Sequence, residues 1–227
     1  MTSLARDAGA APAVLDNGDR VADQFIGCLK SANHQKWPFD HWLLENALPA
    51  QDVADILALP FAPPSGAVFN GRREANNSTR VYFSPENQER FAVCARVAQG
   101  FNQPRVRQLI EQTTGADLSD GHLRVEYCQD EPGFWLEPHT DIAVKKYTML
   151  VYLSDDPGLK LAGTDIHEGP PDFKYVGSAP YGRNKGVIFI PGANTWHAVG
   201  HHPIQGLRRS IIINYVTSAW RDKYELA

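Results

Sequence analysis

Residues 121–158 read GHLRVEYCQDEPGFWLEPHTDIAVKKYTMLVYLSDDPG, and their texture decides the fold. Three runs rich in β-branched and aromatic residues, LRVEYC (123–128), FWLEPH (134–139) and KYTMLVYL (146–153), are each too short for a typical helix. The turn formers Glu131-Pro132-Gly133 and Asp156-Pro157-Gly158 punctuate them. Further downstream the pattern continues with FKYV (173–176), GVIFI (186–190) and LRRSIIINYV (207–216), with Gly192-Ala193-Asn194 as another turn. Several short strands in succession without intervening helices predict a β-sandwich or jelly roll over residues 121–217.

Upstream the period changes from two to 3.6. Val53, Ile56 and Leu57 recur at helical spacing behind Pro49, and Pro60 stops that helix. A second helical stretch opens at Ser84-Pro85-Glu86, and Phe91, Cys94, Val97, Ala98 and Phe101 form its apolar stripe. Asn102 and Pro104 predict a break and restart, with Val106, Leu109 and Ile110 continuing to Gly115. NGRREANNSTR (70–80) reads as a polar surface loop, with Arg72, Arg73 and Arg80 solvated. Residues 1–22 read as a mobile N-terminal extension. The rest, 23–227, is expected to be one domain: helical support in 23–120 and a β core in 121–217, mainly β with flanking helices (α+β).

Composition narrows the functional classes. The 227 residues carry 22 basic and 26 acidic side chains, a formal charge of −4, and no basic-aromatic stripe, which argues against nucleic acid as partner. No apolar run approaches the ~20 residues of a membrane span, and the Ala-rich start is too interrupted by charge for a secretory signal. Three cysteines, Cys28, Cys94 and Cys128, lack paired spacing and point to a reducing, cytoplasmic setting. Oligomeric state is not legible.

Among eight histidines, only His139 stands two residues before an acid, in His139-Thr140-Asp141. On a strand, positions i and i+2 share a face, so the imidazole and the carboxylate of Asp141 are placed to grip one ion. His197 follows 58 residues later, after GVIFI and its turn, with His201 and His202 as alternative ligands. Two imidazoles and one carboxylate form the facial set associated with non-haem Fe(II) oxygenases. Eleven residues beyond His197, Arg208 shares a strand face with Ser210, and a planar cation beside a hydroxyl suits an anchored carboxylate.

With His139-x-Asp141, His197 and Gly206-x-Arg208-x-Ser210 in this order, the chain resembles the 2-oxoglutarate/Fe(II)-dependent oxygenase superfamily, in its small prolyl-hydroxylase-like branch. PFDHWLLENALPAQDVADIL resembles the strand-and-helix entry of that branch, while Leu161-Ala162-Gly163-Thr164 departs from its usual Gly-Gly-x-Leu. The resemblance implies a double-stranded β-helix, cupin-like core with helices packed outside. It implies Fe(II) on His139, Asp141 and His197, and 2-oxoglutarate held through its distal carboxylate by Arg208, Ser210 and Tyr152. Tyr127 would line the co-substrate pocket. Molecular oxygen would be the oxidant, with succinate and carbon dioxide released as a polar small molecule or peptide side chain is hydroxylated. A carboxylate at Asp141 favours hydroxylation or desaturation over halogenation. The residues alone leave Tyr127 and Tyr152 open to a reading as core aromatics with satisfied tips. Two other functions remain open at this level: a cupin-like metalloenzyme performing isomerisation or hydrolysis, and a non-enzymatic ligand-binding barrel.

Overall fold

The structure, a computed structural model, describes residues 18–65, 69–72, 80–200 and 204–227. In chain order it contains α1 (Asp19–Lys30), β1 (Asn33–Gln35), β2 (His41–Glu45), α2 (Ala50–Leu57), β3 (Val81–Tyr82), α3 (Pro85–Arg90), α4 (Ala92–Asn102) and α5 (Pro104–Thr114). The β-rich half follows as β4 (His122–Asp130), β5 (Leu136–His139), β6 (Lys145–Tyr152), β7 (Asp165–His167), β8 (Tyr175–Ser178), β9 (Lys185–Phe189), β10 (His197–Val199) and β11 (Arg208–Val216). Two sheets result, one of seven strands ordered β1-β2-β9-β6-β11-β4-β3 and one of four ordered β5-β10-β7-β8. Every pairing between these strands is antiparallel. The fold is a double-stranded β-helix with helices outside, as expected.

Strand alternation divides the large sheet into two chemically different faces. Leu123, Val125 and Tyr127 of β4, Tyr147, Met149 and Val151 of β6, and Ile211, Ile213 and Tyr215 of β11 join the core cluster that also holds the buried stripes of α1, α2, α4 and α5. The opposite face looks toward the small sheet and carries Leu150, Tyr152, Val187 and Phe189 in a second, smaller cluster with Ile166 of β7. Arg124, Glu126, Asp130, Arg208, Ser210 and Asn214 occupy that same inward side, all buried.

Three features are not expected from the sequence. The segment set aside as an extension overlaps α1 at residues 19–22, and α1 buries Val21, Ala22, Phe25, Cys28 and Leu29 at helical spacing. Gly18 caps it with φ +78°, and a Cβ there would stand 2.3 Å from the Gly100 nitrogen, so α1 and α4 meet where neither carries a side chain. The long helix expected from Ser84 is interrupted at Phe91, which turns extended (φ −131°, ψ 107°) and serves as the N-cap of α4. Its ring packs edge-on against Phe61 at 5.3 Å. Third, the short strands β1, β3, β7 and β10 carry too few residues to show a period. Among the described residues no helix is long and apolar enough to cross a membrane.

Candidate active site

The antiparallel pairing of β5 with β10 sets His139 opposite His197, and the ring centroids lie 4.4 Å apart. Each ring is held by its Nδ1, which faces a carbonyl oxygen two residues earlier: Glu137 O at 2.7 Å for His139 and Thr195 O at 2.9 Å for His197. A nitrogen facing a carbonyl must carry the proton, so Nε2 keeps its lone pair in the neutral form, the arrangement that orients metal-ligating histidines. Burial pushes the His197 pKa down to about 4 from 6.5, with His139 and Lys145 adding to the effect and Asp141 opposing it. The imidazole is therefore neutral at pH 7.

Asp141 reaches this place differently from the sequence expectation. β5 ends at His139, so Asp141 is not on a strand; the following turn, closed by the Lys145 amide donating to Ile142 O, carries it back. Its Oδ1 accepts from Lys145 Nζ at 2.5 Å and its Oδ2 from the Thr148 hydroxyl at 2.7 Å. Asn214 Nδ2 in turn donates to Thr148 Oγ1 at 2.9 Å. Both imidazoles, Asp141, Lys145, Thr148 and Thr164 line one hollow of about 40 Å³. Among the described residues no three His, Cys, Asp or Glu side chains form a closed metal-donor cluster, because the carboxylate is turned to its lysine and threonine. The donor chemistry nevertheless fits a divalent ion: two imidazoles whose Nδ1 atoms are held by carbonyls, leaving Nε2 to face a ligand, and one carboxylate share a single hollow. A larger cavity of about 620 Å³ opens beside it, lined by His139, Asp141 and Lys145 and by Tyr82, Arg124 and Trp220.

Arg208 opens β11 and is 3% exposed. Its Nε donates to Ala162 O at 2.8 Å and its Nη1 to Asp130 Oδ2 at 2.7 Å, leaving Nη2 buried and without a hydrogen-bond partner among the described residues. The Ser210 hydroxyl, two residues along the same face, is buried and equally without one. Orphaned buried donors are rare in folded proteins, and an unpaired guanidinium nitrogen beside an unpaired hydroxyl fits a carboxylate of a ligand. Burial opposes the Arg208 charge, yet Asp130 and the neighbouring Tyr181 and Tyr152 hold its pKa above the ordinary value.

Tyr152 stands next to Ser210 in the register, and its ring lies 5.7 Å from the Arg208 guanidinium carbon. Its hydroxyl donates to Thr164 Oγ1 at 2.8 Å and accepts from the Thr164 amide at 2.9 Å. Tyr152 thereby joins the two parts of the site, since Thr164 also lines the hollow under the imidazoles. Tyr127 does not belong to this group. It pairs with Ile211 and lies in the helix-side cluster, on the face of the sheet away from Arg208 and Ser210, because it is an odd number of residues from the inward-facing Arg124, Glu126 and Asp130. The expectation that it lines a co-substrate pocket is corrected accordingly.

Of the loop arginines, Arg72 is exposed and lines the large cavity. Arg73 lies outside the described residues, as do His201 and His202. Arg80 is not solvated: its side chain is 5% exposed and bonded to Asp130 Oδ1 at 2.7 Å, with Glu126 at 3.5 Å. Arg124, which sequence reasoning also passed over, bonds to Glu126 at 2.5 Å and Glu225 at 2.6 Å and lies between the Tyr82 and Trp220 rings.

The fold is shared with solved prolyl hydroxylases. A prolyl-4-hydroxylase from Pseudomonas putida matches with a TM-score of 0.54, covering 88% of this chain and 100% of its own, at 16% identity. A prolyl hydroxylase from Trichoplax adhaerens, solved with a hypoxia inducible factor oxygen degradation domain peptide fragment, matches at 0.51 over 92% and 94% of the two chains, at 17% identity. A viral collagen prolyl hydroxylase from Paramecium Bursaria Chlorella virus-1, solved as a 2OG complex, matches at 0.52 over 78% and 96%, at 16% identity. No protein-family model and no curated protein sequence matches the chain.

Proposed function

We propose that the protein is a non-haem Fe(II)- and 2-oxoglutarate-dependent dioxygenase that hydroxylates an unactivated C–H bond of a polar small molecule or a peptide side chain. The observation that carries this reading is the pair of unpartnered buried donors, Arg208 Nη2 and Ser210 Oγ, linked through Tyr152 and Thr164 to the hollow shared by His139, His197 and Asp141. His139, Asp141 and His197 would hold Fe(II), and Arg208 with Ser210 would hold the distal carboxylate of 2-oxoglutarate. When bound, iron and co-substrate supply the activation of dioxygen.

The chain's own residues supply orientation and a controlled environment. The carbonyls of Glu137 and Thr195 fix the imidazole tautomers. Thr148 and Lys145 hold the two oxygens of Asp141 at the edge of the hollow. Phe189, whose ring centroid lies 4.5 Å from that of His197, packs against that imidazole and helps fix its orientation. The neighbouring cavity of about 620 Å³ is within the size range of small-molecule sites. The peptide in the Trichoplax structure supports keeping a peptide side chain as the second substrate class. Three buried cysteines, none of them in a disulfide among the described residues, are consistent with a cytoplasmic setting in which Fe(II) stays reduced.

The test is anaerobic addition of Fe(II) and 2-oxoglutarate, which should produce a weak visible charge-transfer band, with succinate formed once air is admitted. Asp141→Ala should lose both. An intact protein that binds neither metal nor 2-oxoglutarate would overturn the reading. One observation favours a ligand-binding barrel instead: Lys145 already provides a cation for Asp141. That alternative expects no divalent metal to be retained at micromolar concentration.

A further inference from the structure

Three cations and three carboxylates form a buried chain across the inner face of the large sheet: Arg208, Asp130, Arg80, Glu126, Arg124 and Glu225. No side chain in it is more than 8% exposed. Its first link is also the proposed carboxylate anchor. We propose that Arg80 is a positioning residue for the co-substrate, holding one oxygen of Asp130 so that Asp130 occupies a single nitrogen of Arg208 and leaves the other to an incoming carboxylate. This inference rests on the proposed function.

The geometry supports it in two ways. Asp130 bridges two guanidinium groups with one oxygen each, Oδ1 on Arg80 Nη1 and Oδ2 on Arg208 Nη1, both at 2.7 Å. Carboxylates tend to meet arginine with both oxygens on two nitrogens. Freed from Arg80, Asp130 would take the Nη1–Nη2 edge of Arg208 and close the site from within. The second argument is charge. The chain as built sums to zero, three against three. Without Arg80 a carboxylate arriving at Arg208 meets a buried group carrying one net negative charge, in surroundings where such repulsion is poorly screened.

The experiment is calorimetric titration of 2-oxoglutarate into the Mn(II)-loaded full chain, with Mn(II) affinity measured separately. Arg80→Met should weaken 2-oxoglutarate binding at least tenfold while Mn(II) affinity stays within threefold of wild type. Asp130→Asn, which removes the competing anion, should tighten 2-oxoglutarate binding several-fold. The double variant Arg80→Met/Asp130→Asn should return to within threefold of wild type, a rescue that a merely structural role for Arg80 would not give. Unchanged binding in Arg80→Met, unchanged or weakened binding in Asp130→Asn, or a double variant that stays as weak as Arg80→Met overturns the inference. Should Arg80→Met fail to fold, Asp130→Asn decides alone, tighter binding supporting the inference and equal or weaker binding overturning it. A wild-type protein that binds Mn(II) without binding 2-oxoglutarate overturns the proposed function itself, and the inference with it.

Discussion

On β4 and β11, Leu123, Val125, Tyr127, Ile211, Ile213 and Tyr215 turn toward the helices, while Arg124, Glu126, Asp130, Arg208 and Ser210 of the same two strands turn inward. Both sets are equally dry, with no member more than 4% exposed. What differs is the compensation for lost water. Each fully buried apolar side chain on the helix side contributes roughly 1.5–3 kcal/mol. On the inner side desolvation of each charge is offset only by a partner, and such pairs give little net stability over apolar residues of the same shape. The helix side thus secures the fold, while the inner side keeps charged groups dry and oriented, and near Arg208 and Ser210 it keeps donors unsatisfied.

The sharpest way to break this contrast is to remove one charge from the inner face. Glu126→Ala would strip a carboxylate from both Arg124 and Arg80, and should cost about 4 kcal/mol in urea unfolding; an apolar strand position would lose less for the same volume. On the helix side, Ile213→Ala should cost about 3.5 kcal/mol by leaving a cavity, with 2-oxoglutarate affinity unchanged in the folded protein.

The inner face should also show itself through pH. His197 takes a proton near 6.5 when unfolded and only near 4 when folded. Between these values the unfolded chain binds more protons, so the metal-free protein loses stability as pH falls from about 6.5 to 4, by up to about 3 kcal/mol from this residue. A His197→Gln variant should show a shallower decline in Tm over that window; an identical decline would remove His197 as the cause. The smallest effect is expected at Lys145. Replacing it with Met removes a cation that competes for Asp141, and Mn(II) affinity should rise about tenfold, or about 1.4 kcal/mol.

Much of this architecture is legible from periodicity, and the parts that are not share a physical reason. The six strands that carry their own β-type runs, and the helices α2, α4 and α5, lie where pattern and turn residues place them. The strands β1, β3, β7 and β10 have two to three residues each and exist through their partners alone. The stripe of α1 was present in the sequence, hidden by the alanine-rich, charged segment before it. At the site, the two histidines stand out by motif and meet across β5 and β10, whereas Arg80 lies in a polar loop whose composition signals solvent. In β4 the alternation Leu123-Arg124-Val125-Glu126 reads as one buried face and one wet face. Period two says which residues share a face; it says nothing about whether charges on that face meet water or each other.

The two faces of β4 make that strand behave like a reading frame with two letters. It is paired along its whole length with β11 and at residues 126–127 with β3. One residue inserted near its start would reverse every later position, sending Glu126 and Asp130 toward Phe101 and the helices while Val125 and Tyr127 turned to face Arg80 and Arg208. Four misplaced side chains exceed the whole stability of a domain of this size. A change in chain length is thereby tolerated only in the turns on either side, at residues 118–121 and 131–133. Changes there leave untouched the frame that holds the charges of the inner face.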